Sequence, residues 1–316
     1  MIVKKDDIQN RKYASIADGE GKKLSRRDFL KVAGSTVLSA AAVCSLGPLY
    51  SLNVEPGWIE VVRQKVPITG LPDELDGLTI AQLSDIHIGP FVDRNQLKRG
   101  VEIINDLRPD IVALTGDYVY VAASDARICT EELEKVTAKY GVYAVLGNHD
   151  IWTKADVVAE AFSAAGITVL RDEKVLVGIG KTVLAILGIE DVGFTTHSFK
   201  AFEPMWHEKS ERLGVLLEDI PDGITRLLLV HNPDFTEMLP EARIDLALCG
   251  HTHGGQIRLP LIGAPIVPSC FGQKYTAGLV RGPSTLTYVN RGLGLIPPPI
   301  RFNCRPEVSL LQLTKA

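Results

Sequence analysis

Cysteine is scarce in this chain, five residues in 316. Cys129, Cys249, Cys270 and Cys304 are too few and too widely spaced to staple a small core, which excludes a disulfide-dependent scaffold and leaves buried free thiols as the expectation. An excess of positive charge is also missing: 34 Lys and Arg stand against 38 Asp and Glu, a net charge of −4. No nucleic acid partner is expected from that balance, because such a partner is held by neutralising many phosphates. No internal repeat of 20–50 residues is visible, which argues against a solenoid or propeller. What is present is an ordinary globular composition, 46% hydrophobic and 23% charged, long enough to bury one substantial core in a single α/β domain.

The charge is unevenly spread. Residues 1–31 carry nine basic and five acidic side chains, and residues 254–316 carry seven and one, so the middle of the chain is strongly acidic. A basic C-terminal segment on an acidic body reads either as a surface for phosphate groups and anionic lipid heads or as scattered solvated loop charges. Near the N-terminus, Ser25-Arg26-Arg27-Asp28-Phe29-Leu30-Lys31 precedes residues 32–54, a run without a charged side chain and rich in Ala, Ser, Leu and Val. This arrangement resembles a twin-arginine translocation signal. Residues 1–53 are therefore expected to be a signal peptide, cut near Ala40-Ala41-Ala42, or a retained N-terminal anchor, with residues 54–316 as the functional domain. The resemblance implies a twin-arginine translocation partner and an extracytoplasmic, periplasmic or membrane-associated location. It also implies export in the folded state, which suits a protein that takes up metal before crossing.

From residue 78 onward one pattern recurs: a short apolar run ends in a cluster of His, Asp, Asn and Gly. Leu78–Leu83 leads to Asp85 and His87, Ile111–Leu114 to Gly116-Asp117, Val142–Leu146 to Gly147-Asn148-His149-Asp150, Leu227–Val230 to His231, and Leu246–Cys249 to Gly250-His251-Thr252-His253. Runs of this length and apolarity predict buried strands. Helical patterns lie between them, over Asn95–Leu107, Glu131–Tyr140 and Ala155–Ala165, the last opened by a capping sequence at Thr153–Asp156. Residues 167–190 predict strands joined through Gly178 and Gly180, residues 193–222 a helical or irregular insertion near the site, and Val308–Leu313 a last strand. Strands alternating with helices predict an α/β layer structure whose ligands gather beyond the C-terminal strand ends.

Histidine is rare too, seven in all, yet His87, His149, His231, His251 and His253 fall in these clusters. Asp85 and His87 stand two apart on a segment read as extended, so both point to one side, and His251 with His253 repeats that spacing. With Asp117, Asn148 and His231 they form a set of oxygen and imidazole donors. Such a set without thiolates suits Mn, Fe or Zn better than Mg or Ca.

In order along the chain, Asp85-x-His87, Gly116-Asp117, Gly147-Asn148-His149-Asp150, His231 and Gly250-His251-x-His253 resemble the signature of the calcineurin-like metallophosphoesterase superfamily. The segments Gly250–Pro260, Asn290–Gly294 and Pro299–Glu307 resemble its exported or membrane-associated bacterial phosphodiesterase branch. The resemblance implies an α/β fold, a two-sheet β-sandwich flanked by helices, and two divalent metal ions at the strand ends. It assigns Asp85, His87 and His253 to one metal, Asn148, His231 and His251 to the other, Asp117 to both, and His149 to a catalytic position beside them. Two carboxylates against two divalent ions leave a net positive site that attracts a phosphate anion. The activity implied is hydrolysis of a phosphodiester or pyrophosphate by a metal-activated water, with a lipid-linked substrate such as UDP-2,3-diacylglucosamine among the options. A phosphomonoesterase, a cyclic-nucleotide diesterase, or a cell-wall or membrane-binding protein with a structural metal site are the alternatives.

Around this set, Asp150 is expected to orient His149 or a metal ligand. Arg258, or one of Arg281, Arg291 and Arg301, is expected to hold a second phosphate. Cys249 is read as structural, and His197 and His207 as loop residues. The apolar, proline-rich stretch from Leu293 to Ile300 suits acyl chains, a membrane surface or packing on the sheet.

Overall fold

The computed structural model describes residues 25–193 and 198–316, without the side chains of residues 28, 36–45 and 199. His197 lies outside the described residues. The chain divides into two compact units, residues 1–47 and 48–316. Helix α1 (Arg26–Asn53) starts at the exposed Arg26-Arg27 pair and contains Pro48, the first residue of the second unit. Among the described residues no helix is long and apolar enough to cross a membrane.

In the second unit the order is β1 (Glu60–Ile68), β2 (Thr79–Leu83), α2 (Arg94–Leu107), β3 (Ile111–Thr115), α3 (Ala126–Leu133), β4 (Val142–Val145), α4 (Asn148–Ala164), β5 (Thr168–Val169), β6 (Glu173–Ile179), β7 (Thr182–Ile189), α5 (Phe199–Glu218), β8 (Thr225–Val230), β9 (Leu246–Cys249), β10 (Gly278–Arg281), β11 (Leu286–Val289) and β12 (Glu307–Lys315). Two six-stranded sheets result, in the orders β1-β12-β2-β3-β4-β5 and β10-β11-β9-β8-β7-β6. β2 through β5 are parallel, as are β7, β8, β9 and β11.

The sandwich follows from side-chain alternation. Ile80, Ile111, Ala113, Tyr143 and Val145 of the first sheet meet Leu227, Leu229, Leu246 and Leu248 of the second in one core. The residues between them point outward: Ala81, Leu83, Val112 and Leu114 pack under α2, α3 and α4, while Leu228, Val230, Ala247 and Cys249 pack with Phe202, Trp206 and Leu213 of α5. Each strand is thus apolar on both faces, which is why it reads as a continuous run rather than an alternation. This is the expected mixed α/β fold, with two sheets flanked by helices. Cys249 is fully buried in the outer core, as a structural residue.

Three local expectations are corrected. The helix expected over Glu131–Tyr140 is instead α3, Ala126–Leu133, because Ala126, Cys129, Thr130 and Leu133 form the buried helical stripe. Residues 135–137 turn back onto Asn105, whose side chain bonds Lys135 O and Thr137 N at 2.9 Å each. α4 begins at Asn148, seven residues before the expected start, and is broken at Lys154, which is extended (φ −179°). Thr153 does not cap the second part; its hydroxyl donates back to His149 O and Asp150 O. The insertion after residue 193 forms α5 on the outer face of the second sheet, where Trp206 is buried in the core, and exposed His207 pairs with Glu211.

Candidate metal centre

All seven expected ligands stand just beyond strand ends: Asp85 and His87 after β2, Asp117 after β3, Asn148 at the start of α4, His231 after β8, and His251 and His253 after β9. Neighbouring backbones keep the loops in register, with Asp85 N bonded to Gly116 O (2.9 Å), His87 N to Asp117 O (3.0 Å) and Gly250 N to His231 O (2.9 Å). The convergence of Asp85 with His87, and of His251 with His253, does not come from strand alternation. Asp85 (φ 49°), His87 (φ 51°), Asp117 (φ 56°), His251 (φ 69°) and His253 (φ 50°) are all left-handed, so tight reversals rather than an extended segment turn the side chains inward. Such conformations cost roughly 1–3 kcal/mol each and persist where surrounding contacts impose them. Gly250 is required by close approach: a Cβ there would run into Ser84 Oγ and Asp85 Oδ2. Gly116 combines φ 91° with contact against Gly147 N and His231 Nδ1.

His231 Nδ1 lies 2.7 Å from Thr115 O. A carbonyl only accepts, so Nδ1 carries a proton and Nε2 is the nitrogen that faces inward. That atom faces Asp117 Oδ2 at 3.2 Å and Asp85 Oδ1 at 4.0 Å. A nitrogen set against two buried carboxylates calls for a cation there, a proton on Nε2 or a metal ion in its place. Burial opposes charge on His231, but Asp117 and Asp85 outweigh it and hold the imidazole well above its usual value. Burial pushes His87 and His251 down to about 3, so both are neutral donors. It also pushes Asp85 up to about 6, against the pull of His231.

The donors form two neighbouring groups. Asp85, His87 and His253 lie together, with His87 Nε2 and His253 Nε2 3.0 Å apart and His253 Nε2 3.4 Å from Asp85 Oδ1. Asn148 Oδ1 meets His251 Nδ1 at 3.0 Å, and the His251 ring stands edge-on to His231 at 5.2 Å. Asp117 reaches His87 at 3.5 Å and His231 at 3.2 Å, so it stands between the groups. Buried neutral imidazoles, two carboxylates and an amide oxygen fit borderline divalent ions. Asp85, His87 and His253 would hold one, Asn148, His231 and His251 another, and Asp117 both.

His149 is half-buried at the mouth of the cluster. Its Nδ1 bonds Tyr120 O (2.8 Å), and its ring lies against Tyr120, Trp152 and His87. Asp150 does not orient His149. Its carboxylate accepts from the amides of Asp117 (2.8 Å), Tyr118 (2.9 Å), Val119 (3.3 Å) and Gly147 (3.0 Å), fixing the turn that carries Asp117. Burial, reinforced by Asp117, raises it to about 7. Tyr120, Trp152 and the buried Asp191 just beyond β7 were not singled out by sequence; Asp191 does follow a strand end, but without a neighbouring His or Asn to mark it.

The arginines sort themselves. Arg291 is committed to Glu307 and Glu60. Arg301 is fully buried and donates to the carbonyls of Arg291, Gly292, Gly294 and Cys304, so neither is placed to hold phosphate. Gly294 N in turn donates to Asp85 O (2.7 Å), and Leu293 N to Ser84 O (2.9 Å). Arg258, part-exposed five residues past His253, bonds Phe302 O through its amide, and Arg281 is exposed at the end of β10.

The family model for calcineurin-like phosphoesterase matches residues 78–255, from the start of β2 to just past His253. The chain belongs to this family. Among its relatives, the uncharacterized metallophosphoesterase YkuE of Bacillus subtilis is 30% identical over 296 residues, covering 92% of this chain and 98% of the relative. Phosphodiesterase YaeI of Escherichia coli is 31% identical over 294 residues, covering 92% and 99%. A transmembrane protein with metallophosphoesterase domain from Danio rerio is 31% identical over 269 residues, covering 81% of this chain and 58% of its own. Membership in the calcineurin-like family makes metal-dependent phosphoester hydrolysis the activity class. The matched segment contains all seven donors, while the loop braced by Arg301 and β12 lies outside it.

Proposed function

We propose that this chain hydrolyses a phosphodiester or pyrophosphate at a dinuclear centre formed by Asp85, His87, Asp117, Asn148, His231, His251 and His253. The observation that carries the reading is His231, whose Nδ1 is spent on Thr115 O while its Nε2 faces the buried carboxylates of Asp117 and Asp85. Bound divalent ions, Mn, Fe or Zn, would lower the pKa of a water and offset charge on the phosphoryl oxygens. Of the chain's own groups, His149 has Nδ1–H fixed on Tyr120 O, so Nε2 is the free ring nitrogen, and in the imidazolium form it is the atom that passes a proton to the leaving oxygen. The peptide N–H of His149 donates to Asp117 Oδ1 at 2.8 Å and holds that carboxylate in place.

The test is turnover of an aryl phosphodiester by Mn²⁺-loaded full-length protein. His149→Ala is expected to lower kcat about 10²- to 10⁴-fold with metal content unchanged, and Asp117→Asn to lose metal as well as activity. Full turnover in both variants would overturn this assignment of the site, and no turnover by the metal-loaded parent protein would favour a binding protein with a structural metal site. A lipid-linked substrate is the finer part of the proposal, with UDP-2,3-diacylglucosamine assayed beside the simple diester. Work outside the cytoplasm by twin-arginine export is supported by Arg26-Arg27 and the uncharged run after it. An Arg26→Lys, Arg27→Lys double variant that is still exported would refute that part.

A further inference from the structure

An apolar pocket of about 220 Å³ opens beside His253, lined by residues 252–253, 255–257, 265–266, 268 and 296–298. Its side walls are Ile257, Pro265, Ile266, Pro268, Ile296 and Pro298. The side-chain polar groups of Gln256 and Thr252 in the lining are already engaged. Gln256 Nε2 donates to Ile296 O (2.9 Å) and Pro298 O (3.1 Å), Gln256 Oε1 accepts from Ile296 N (2.9 Å), and Thr252 Oγ1 donates to Thr276 O (2.9 Å). The Gln256 clamp also ties the 296–298 wall to the residues following His253. His253 is the one ionisable side chain among the lining residues, and its Nε2 belongs to the donor cluster.

A phosphoester whose phosphate sits on the cluster therefore has an organic substituent next to a cavity whose walls are mostly apolar. A cavity of about 150 Å³ with such walls admits benzene and stays dry; this one is larger. Ile266 is 75% exposed at the rim, and the same loop carries Ile262, 63% exposed, at a turn closed by paired Leu259–Gly263 bonds of 2.8 and 2.9 Å. Polar or sugar-like substituents would leave water bonds behind without replacement, whereas an aliphatic chain loses none.

We infer that this pocket is a substrate subsite for an apolar chain, so that the preferred substrates are phosphoesters carrying an acyl or alkyl group beside the scissile bond. The inference rests on the phosphodiesterase reading and adds to it the class of substituent.

The test uses Mn²⁺-loaded full-length protein and p-nitrophenyl alkyl phosphodiesters with methyl, butyl, hexyl and octyl chains, kept below their aggregation concentrations. Water adds to phosphorus, the bond to p-nitrophenolate breaks, and an alkyl phosphate remains. kcat/KM is expected to rise about three- to fourfold per added methylene until the pocket is full. Ile266→Asp, at an exposed position, is expected to flatten the series, and Val215→Asp, on exposed α5 surface outside the pocket, to leave its slope unchanged. Equal kcat/KM for methyl and octyl esters would overturn the subsite and leave the phosphodiesterase reading standing. If no ester is hydrolysed, the phosphodiesterase reading fails, and calorimetric titration with methyl-, butyl- and octylphosphonate decides the subsite separately: affinity growing with chain length and lost in Ile266→Asp supports it, while flat affinity overturns it.

Discussion

His231 keeps its proton more tightly in the folded chain than in the unfolded one, because Asp117 and Asp85 face its Nε2. A group with a raised folded pKa contributes stability that is fully present below its unfolded value, about 6.5, and is lost as pH rises through the folded value. In metal-depleted protein that contribution fades at alkaline pH. A divalent cation takes the place of the same proton, so metal affinity is expected to increase with pH until the raised folded value is passed. Calorimetric titration with Mn²⁺ at pH 7, in two buffers of different ionisation enthalpy, should register release of about one proton; binding with no proton release would refute this account. Neutral His87 and His251 contribute little to that release, since burial has already removed their protons.

Between elements, the loop from Asn290 to Cys304 is the part of the site that sequence motifs describe least. Arg301 holds four carbonyls in that loop, and the loop's amides hold Ser84 O and Asp85 O. Arg301→Met takes a donor from each of those carbonyls and leaves only Gly292 O with another, from Glu307 N, which should destabilise the protein by about 3 kcal/mol or more. It should also weaken metal binding about 10- to 100-fold by loosening Asp85. Denaturant unfolding with a parallel metal titration checks both; a stability loss with unaltered metal affinity would make the loop a purely structural brace. The strands leading to the ligands were legible because each is apolar on both faces and stops at a polar cluster. The site was legible for the same reason, as His and Asp at strand ends have few structural duties. The start of α4 was hidden because Gly147-Asn148-His149-Asp150 serves as ligand loop and helix N-terminus together, and apolar periodicity begins only afterwards. β1 was unassigned, since its central residues alternate with exposed charged ones and only Val66 and Ile68 near its end are fully buried. The roles of Arg291 and Arg301 were invisible for another reason: a guanidinium that binds phosphate and one that binds carbonyls have the same sequence signature.

For the molecule as a whole, the three apolar clusters that hold the two sheets contain none of the metal donors, so metal removal should loosen the protein rather than unfold it. At free metal a thousandfold above Kd, binding stabilises the native state by about 4 kcal/mol. For a domain of this size that corresponds to a Tm on the order of 10 °C higher than after chelation. Differential scanning calorimetry with Mn²⁺ and with EDTA reads the shift; unfolding of the chelated protein at 25 °C would contradict it. The order of strands in the first sheet carries a further consequence. β12 lies between β1 and β2, pairing with β1 from Glu60↔Glu307 to Ile68↔Lys315 and with β2 at Ser309↔Gln82. A ribosome delivers β1 early and β12 late, so the strand that presents Asp85 has an open flank throughout most of synthesis. An unfinished chain lacks that flank and the Arg301 brace together. The strand that presents Asp85 thus gains its second neighbour only once β12 has been made.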